Sequence, residues 1–196
     1  MTKRFFDILI AGIFLFAILP FLLVICILIV IDSPGFPIFS QLRVGKGGKL
    51  FFIYKLRTMF VADSPGLLVT SDMDPRITAF GFFLRKYKID ELPQFYNVLI
   101  GNMSIVGPRP EVPCYIDFYP KVSRDIMLSV RPGITDPASV LFRNESLLLA
   151  STSDPNAFYI NSIIPVKAKI YSAYMVSESL RGDLIVILKT FKAILT

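Results

Sequence analysis

The chain has 196 residues, 54% of them apolar, with a mean hydropathy of +0.61 and a net charge of +6. That length allows one domain with its own core. The absence of any histidine removes the commonest general base and metal ligand, so catalysis would fall to carboxylates, Lys, Arg, Tyr, Ser or backbone groups.

The first element is an apolar run. From Ile8 to Ile31 there are 24 residues without a charge, longer than the roughly 18 that signal a membrane-embedded segment. A signal peptide is disfavoured, because its apolar core is about 7–15 residues and a small-x-small cleavage site follows it. As a straight helix the run measures roughly 36 Å, against a hydrocarbon core of about 30 Å. Pro20 lies near its middle and cannot donate to the carbonyl of Phe16, which predicts a bend there. Lys3 and Arg4 precede the run, and Arg43, Lys46 and Lys49 follow it. Basic flanks on both sides favour a re-entrant helix, with both ends on the cytoplasmic face, over a kinked span.

Asp32-Ser33-Pro34-Gly35 is turn chemistry. A short strand is predicted over Pro37–Leu42, a hairpin turn at Gly45–Lys49, and a second strand over Leu50–Met59. Alternation sets Lys55 and Arg57 on one face of that strand and Tyr54 and Leu56 on the other. The glycine-rich turn lacks the GK[ST] ending of a P-loop. Residues 61–75 read as a polar loop. Helices are expected over Thr78–Lys88 and Asp90–Ile100, the second stopped by Gly101. Gly/Pro-rich loops follow at 102–113 and at Arg131–Thr135. Pro165–Ser177 reads as helical, and Asp183 as the cap of a final amphipathic helix. Its stripe of Leu184, Ile187, Leu188, Phe191 and Leu195 suits packing on the body or an interfacial position. Cys26 and Cys114 form neither a disulfide framework nor a zinc site.

Two groups could carry chemistry. Asp90-Glu91 has a structural reading, as an N-cap and an acidic first turn. It also has a catalytic one, since an ionised carboxylate is a nucleophile that needs no histidine, and its neighbour can bind a divalent metal or manage a proton. Around it stand Lys55, Arg57, Arg76, Arg85, Arg109 and Arg131, either as surface charges and ion pairs or as phosphate ligands. A carboxylate attacking a phosphate needs such cations, and Mg²⁺, to offset repulsion. The basic balance suits anionic lipid or phosphorylated substrates. No nucleic-acid-binding motif is present, so nucleic acid is not an expected partner.

These residues fall into familiar segments: Lys3-Arg4-Phe5-Phe6-Asp7, Tyr54-Lys55-Leu56-Arg57-Thr58-Met59, Phe80-Gly81-Phe82-Phe83-Leu84-Arg85, Ile89-Asp90-Glu91-Leu92-Pro93-Gln94, Gly101-Asn102-Met103-Ser104, Val106-Gly107-Pro108-Arg109-Pro110 and Arg131-Pro132-Gly133-Ile134-Thr135. In that order, over nearly the whole chain, they resemble the small monotopic phosphoglycosyl transferases of the bacterial sugar transferase family. The expected fold is a mixed α/β, helix-rich cytoplasmic body with short strands, residues 33–196. It would sit on a re-entrant anchor, residues 1–32, bent at Pro20, and on interfacial amphipathic helices at the bacterial inner membrane. The resemblance implies transfer of a sugar 1-phosphate from a UDP-sugar to polyprenol (undecaprenyl) phosphate with release of UMP. Asp90 would form a covalent aspartyl-phosphosugar and Glu91 would assist it. Mg²⁺ would bind at both carboxylates, and Lys55, Arg57, Arg85, Arg109 and Arg131 would bind the phosphate or nucleotide. A homodimer is compatible with the resemblance. Two departures stand out. Leu19-Pro20 occupies the bend where the family often has Ser-Pro, and Asp136-Pro137-Ala138-Ser139 follows Thr135 where the family commonly has Gly-Leu-Ala. The rival readings are an ordinary glycosyltransferase, which would release UDP, and a catalytically inactive scaffold of a glycan-assembly complex.

Overall fold

A computed structural model describes residues 2–61, 74–177 and 179–195. The apolar run forms one helix, α1 (Thr2–Asp32), whose helical assignment continues through Pro20. By length and composition it is long and apolar enough to cross a membrane. Much of its surface faces outward, with Phe5, Phe16, Phe21 and Ile31 at least 70% exposed. An exposed apolar surface of that extent marks a contact with a membrane or with other protein.

The chain leaves α1 at Ser33 and enters an antiparallel hairpin, β1 (Ile38–Val44) and β2 (Leu50–Leu56), with Phe39 opposite Lys55 and Arg43 opposite Phe51. The expected turn is a single 3₁₀ turn at Lys46–Gly48. Strand β2 ends at Leu56, three residues short of the expectation, although the amide of Arg57 still bonds the carbonyl of Pro37 in register at 2.8 Å. The free edge of β2 is closed by a side chain. Asn97, fully buried, accepts from the Tyr54 amide at 3.0 Å and donates to the Phe52 carbonyl at 2.7 Å. These bonds satisfy backbone groups that an edge strand leaves open.

Helix α2 (Ala79–Lys86) begins at Thr78, whose side chain accepts from the Gly81 amide as a normal N-cap. The expected helix over Asp90–Ile100 is divided. Ile89–Glu91 form a 3₁₀ turn, and α3 starts only at Gln94 and ends at Leu99. Pro93 has no N–H to continue a helix from Leu92, and Lys88 in the left-handed region (φ 56°) redirects the chain before Asp90. Asp90 therefore lies within the turn and caps no helix. The two loops expected at 102–113 and 131–135 each hold a three-residue strand, β3 (Ser104–Val106) and β4 (Gly133–Thr135), paired in parallel.

Helices then dominate: α4 (Lys121–Ser129), α5 (Pro137–Leu141), α6 (Glu145–Ala150), α7 (Pro155–Phe158), α8 (Ile164–Val176) and α9 (Leu180–Leu195). Asp183 is not the cap of α9, which starts three residues earlier, where the Ser179 hydroxyl accepts from the Gly182 amide. Asp183 is instead buried, ion-paired with Lys3 and hydrogen-bonded by the Tyr174 hydroxyl. Among the described side chains of α9 the buried apolar one is Val186, whereas Leu184, Leu188 and Phe191 of the expected stripe face outward.

Three apolar clusters hold the chain together. One joins Leu22 and Ile29 of α1 to Leu56 and Leu84. A second joins Ala11 to Phe51, Ile53, Val98, Met103 and Val186. The third lies among the C-terminal helices around Tyr119, Tyr159, Ile164 and Tyr171. The fold is thus mixed α/β and helix-rich. Both ends of α1 are bonded to the body. Asp7 accepts from the Ser104 hydroxyl at 2.7 Å and the Ile105 amide at 3.2 Å, while Arg4 donates to the carbonyls of Val98 and Leu99. At the other end, Arg57 donates to the carbonyls of Ser33, Pro34 and Gly35.

Candidate active site

Strand alternation places Arg43, Ile53 and Lys55 on one face of the hairpin and Ile38, Tyr54 and Leu56 on the other. The first face looks onto the Ile89–Glu91 turn. There Glu91 Oε1 accepts from Lys55 Nζ at 2.8 Å and from Arg109 Nη2 at 2.8 Å, and its Oε2 from Arg109 Nη1 at 3.4 Å. Both oxygens of Glu91 are therefore engaged by cations. Burial alone would raise the Glu91 carboxyl, yet Arg109 and Lys55 outweigh it and hold the group well below the usual carboxylate range. Glu91 in turn drives the Arg109 guanidinium well above its ordinary value.

Asp90 is in the opposite condition. It is 7% exposed, and its Oδ1 is buried without a hydrogen-bond donor. Burial pushes its carboxyl above the ordinary value, with Glu91 adding to that effect while Lys55, Lys88 and Arg85 pull the other way. Two adjacent carboxylates thus differ sharply. One is fixed and neutralised, and the other is desolvated and unpaired at one oxygen. An unpaired buried acceptor is costly and requires a reason. A nucleophile awaiting an electrophile is such a reason.

The predicted cations divide in the same way. Lys55 and Arg109 are at the carboxylates. Arg85 is oriented by its Nε–H bond to Thr58 Oγ1 at 2.8 Å and acts electrostatically on Asp90. Arg57 instead serves the exit of α1, as described. Arg131 donates from Nε to the Gly101 carbonyl at 2.8 Å and lies close enough to Arg4 to repel it. Arg76 forms a bidentate pair with Asp74. Residues 62–73 of the polar loop lie outside the described residues.

Sequence reasoning missed three contributors. Lys88 acts on both carboxylates, and its position two residues before Asp90 was the available signal. Thr58 orients Arg85 from within the Lys55–Met59 segment. Glu111, buried, accepts from the hydroxyls of Tyr119 at 3.0 Å and Tyr159 at 2.8 Å, and its carbonyl accepts from the Val44 amide. These bonds hold the loop that carries Arg109, and no local pattern marks the two distant tyrosines.

Glycine makes this loop possible. A Cβ on Gly133 would lie 2.2 Å from the Gly107 amide nitrogen, and one on Gly107 would lie 2.6 Å from the Arg131 carbonyl. The two Gly/Pro-rich segments pass too closely for any side chain, and that contact brings β4 against β3 and the Arg109 loop into place.

Among the described residues no group of three or more His, Cys, Asp or Glu side chains gathers as a metal site. A divalent cation can still fit, because Mg²⁺ is commonly held by one or two carboxylates together with substrate phosphates and water. The bare Oδ1 of Asp90 suits that role. Glu91, already paired with Lys55 and Arg109, suits it less. The set fits a cation carried on a diphosphate better than one chelated by the protein alone.

Comparison with known proteins agrees with the motif reading. The profile of the bacterial sugar transferase family matches residues 1–196. A UDP-N-acetylgalactosamine-undecaprenyl-phosphate N-acetylgalactosaminephosphotransferase of Aeromonas hydrophila is 38% identical over 99% of this chain and 44% of its own length. A UDP-glucose:undecaprenyl-phosphate glucose-1-phosphate transferase of Escherichia coli (strain K12) is 41% identical over 71% of this chain and 31% of its own. The galactosyl transferase CpsE of Streptococcus agalactiae serotype III (strain NEM316) is 36% identical over 100% of this chain and 42% of its own. The chain therefore spans less than half the length of these relatives.

Proposed function

The chain belongs to the bacterial sugar transferase family, and from that membership we propose that it transfers a sugar 1-phosphate from a UDP-sugar to undecaprenyl phosphate and releases UMP. The observation that carries this reading is the asymmetric carboxylate pair, with a bare Asp90 oxygen beside a Glu91 held by Lys55 and Arg109. Relatives named for exactly such transfers support the substrate classes. Their names differ in the sugar, so the reading leaves the sugar open.

In the proposed mechanism Asp90 attacks the phosphorus that bears the sugar. An Asp90 O–P bond forms, the diphosphate P–O bond breaks, and UMP leaves with that bond's electron pair. An oxygen of the lipid phosphate then attacks the same phosphorus and displaces the Asp90 carboxylate, leaving a polyprenyl diphosphate sugar. Arg85, held by Thr58, and Lys55, held by Glu91, offset phosphate charge in both steps without reorganisation, and Lys88 adds its charge from the turn. Glu91 holds Lys55 and Arg109 in position. Mg²⁺, bound at Asp90 and the diphosphate, would supply further charge neutralisation. The reaction would occur at the cytoplasmic face of the bacterial inner membrane, with α1 as a re-entrant anchor bent at Pro20. Bonds from both ends of α1 to one body support that topology.

The test is UMP release from a panel of UDP-sugars, with undecaprenyl phosphate and Mg²⁺. Wild type should release UMP and Asp90→Asn should lose about a thousandfold or more. Release of UDP in its place would exclude the covalent phosphosugar route and favour an ordinary glycosyltransferase. Full activity in Asp90→Asn would remove Asp90 from the reaction.

A further inference from the structure

Between α1 and the second face of the hairpin lies a groove of about 310 Å³. Its anchor wall is Leu19, Leu22 and Leu23, and its body wall is Tyr54, Leu56 and Tyr96. Among the described residues no charged side chain lines it. Its size is at the lower end of pockets that accept small-molecule groups, and a wall without charges or strong polar groups selects hydrocarbon.

The groove meets the active site at one place. Pro93 lines it, three residues after Asp90. In a tight turn rising about 2 Å per residue, that separation is roughly 6 Å. The Ile89–Pro93 segment passes from one face of the hairpin to the other, with Glu91 bonded to Lys55 on the first and Pro93 facing the groove on the second. A ligand with an anionic head and a hydrocarbon tail could therefore have its head at Asp90 and its tail along α1, bending round Pro93.

We propose that this groove binds the first isoprene units of the polyprenyl phosphate acceptor, an inference that rests on the transfer reaction above. Three features single out that occupant over a bulk phospholipid acyl chain. The groove reaches Pro93, three residues from the nucleophile, where a reacting lipid brings its phosphate. It is short, so it reads the units next to the phosphate and leaves the remaining chain in the bilayer. Its body wall includes two aromatic rings, Tyr54 and Tyr96, with centroids 5.8 Å apart, flat surfaces suited to planar isoprene units. The anchor helix is thus one wall of the acceptor site.

The experiment uses the full chain in lipid nanodiscs and a polyprenyl phosphate that carries a diazirine in its second isoprene unit. Adducts are mapped by mass spectrometry, and UMP release is measured in the same preparations. Leu19→Trp narrows the groove. Phe16→Trp places the same indole on α1 at an 83% exposed position outside it. Adducts should fall on residues 15–26 and 93–96, compete with unlabelled polyprenyl phosphate, and drop by about tenfold or more in Leu19→Trp alone. The lipid KM should rise in that variant by a similar factor, while UMP formed in a single turnover without lipid stays unchanged. Adducts spread over the exposed side of α1, or equal in Leu19→Trp and wild type, would overturn the proposal. Adducts displaced equally by added phospholipid would assign the groove to a structural lipid and overturn it too. If wild type labels in the groove but releases no UMP, the transfer reaction fails while the groove assignment stands.

Discussion

At the residue scale, the decisive contrast is between Asp90 and Glu91, neighbours in one turn with opposite electrostatics. If Asp90 is the nucleophile, it acts only when ionised, and burial raises the pH at which that occurs. The acid limb of kcat/KM should therefore fall at a pH above the ordinary aspartate value of about 3.9, and replacing Arg85 with Gln should move it higher still. The same burial has a stability consequence of known sign. A carboxyl raised in the folded state contributes stability below its unfolded pKa and loses it as pH rises through the folded one. Asp90→Asn should thus unfold at a higher temperature than wild type at neutral pH, and the gain should vanish below about pH 4. Thermal scans across pH test this, and an Asn variant less stable at pH 7 would contradict the desolvation account. The pair itself was legible in the sequence, since two carboxylates before Leu-Pro-Gln are conspicuous in a chain without histidine. Their division of labour was not. It depends on Lys55, 36 residues away, and on Arg109, brought in by a separate loop. Nor could the arginines be sorted by type, because Arg57 and Arg131 bond mainly to backbone carbonyls, which leave no mark in the sequence.

At the element scale, the hairpin was readable because its turn is local, five residues rich in glycine between two apolar runs. The division of the second helix was readable in principle from Pro93, but the acidic pair and the apolar positions beyond it favoured a continuous element. The β3–β4 pair was not readable. Three-residue strands with partners about 30 residues apart carry no periodicity, and what marks them is the close contact of Gly107 with Gly133. That contact makes a prediction. Gly133→Ala should separate the strands and displace the Arg109 loop, raising the KM for the UDP-sugar and lowering the melting temperature together. Arg109→Gln at the same site should impair turnover with a smaller thermal effect. A Gly133→Ala enzyme with normal kinetics would show that the loop does not depend on this pair.

At the scale of the whole molecule, α9 carries a second outward apolar side, Leu184, Leu188 and Phe191, with Lys189 and Lys192 on the same helix, a pattern that suits a helix lying at the bilayer surface. The chain has no tryptophan, so Leu188→Trp adds a single reporter. Its emission should shift to the blue in vesicles and be quenched by lipids brominated near the head group. Emission unchanged from water would remove α9 from the membrane. Topology has its own measurement. A Thr2→Cys variant in a Cys26→Ser, Cys114→Ser background should react with impermeant maleimide only after the cytoplasmic side is opened. Labelling of intact cells would make α1 a span.

The Lys3–Asp183 ion pair joins positions 180 residues apart, and this orders events during synthesis. Lys3 leaves the ribosome well before Asp183. For most of translation the apolar helix exists without the protein surfaces that later cover one side of it. With α1 as the membrane anchor, lipid would be its earliest partner, and the body would condense onto a helix already in the bilayer. Biogenesis of such an anchored chain would depend on membrane delivery before folding, and a polypeptide released into the cytosol would expose that helix and aggregate through it.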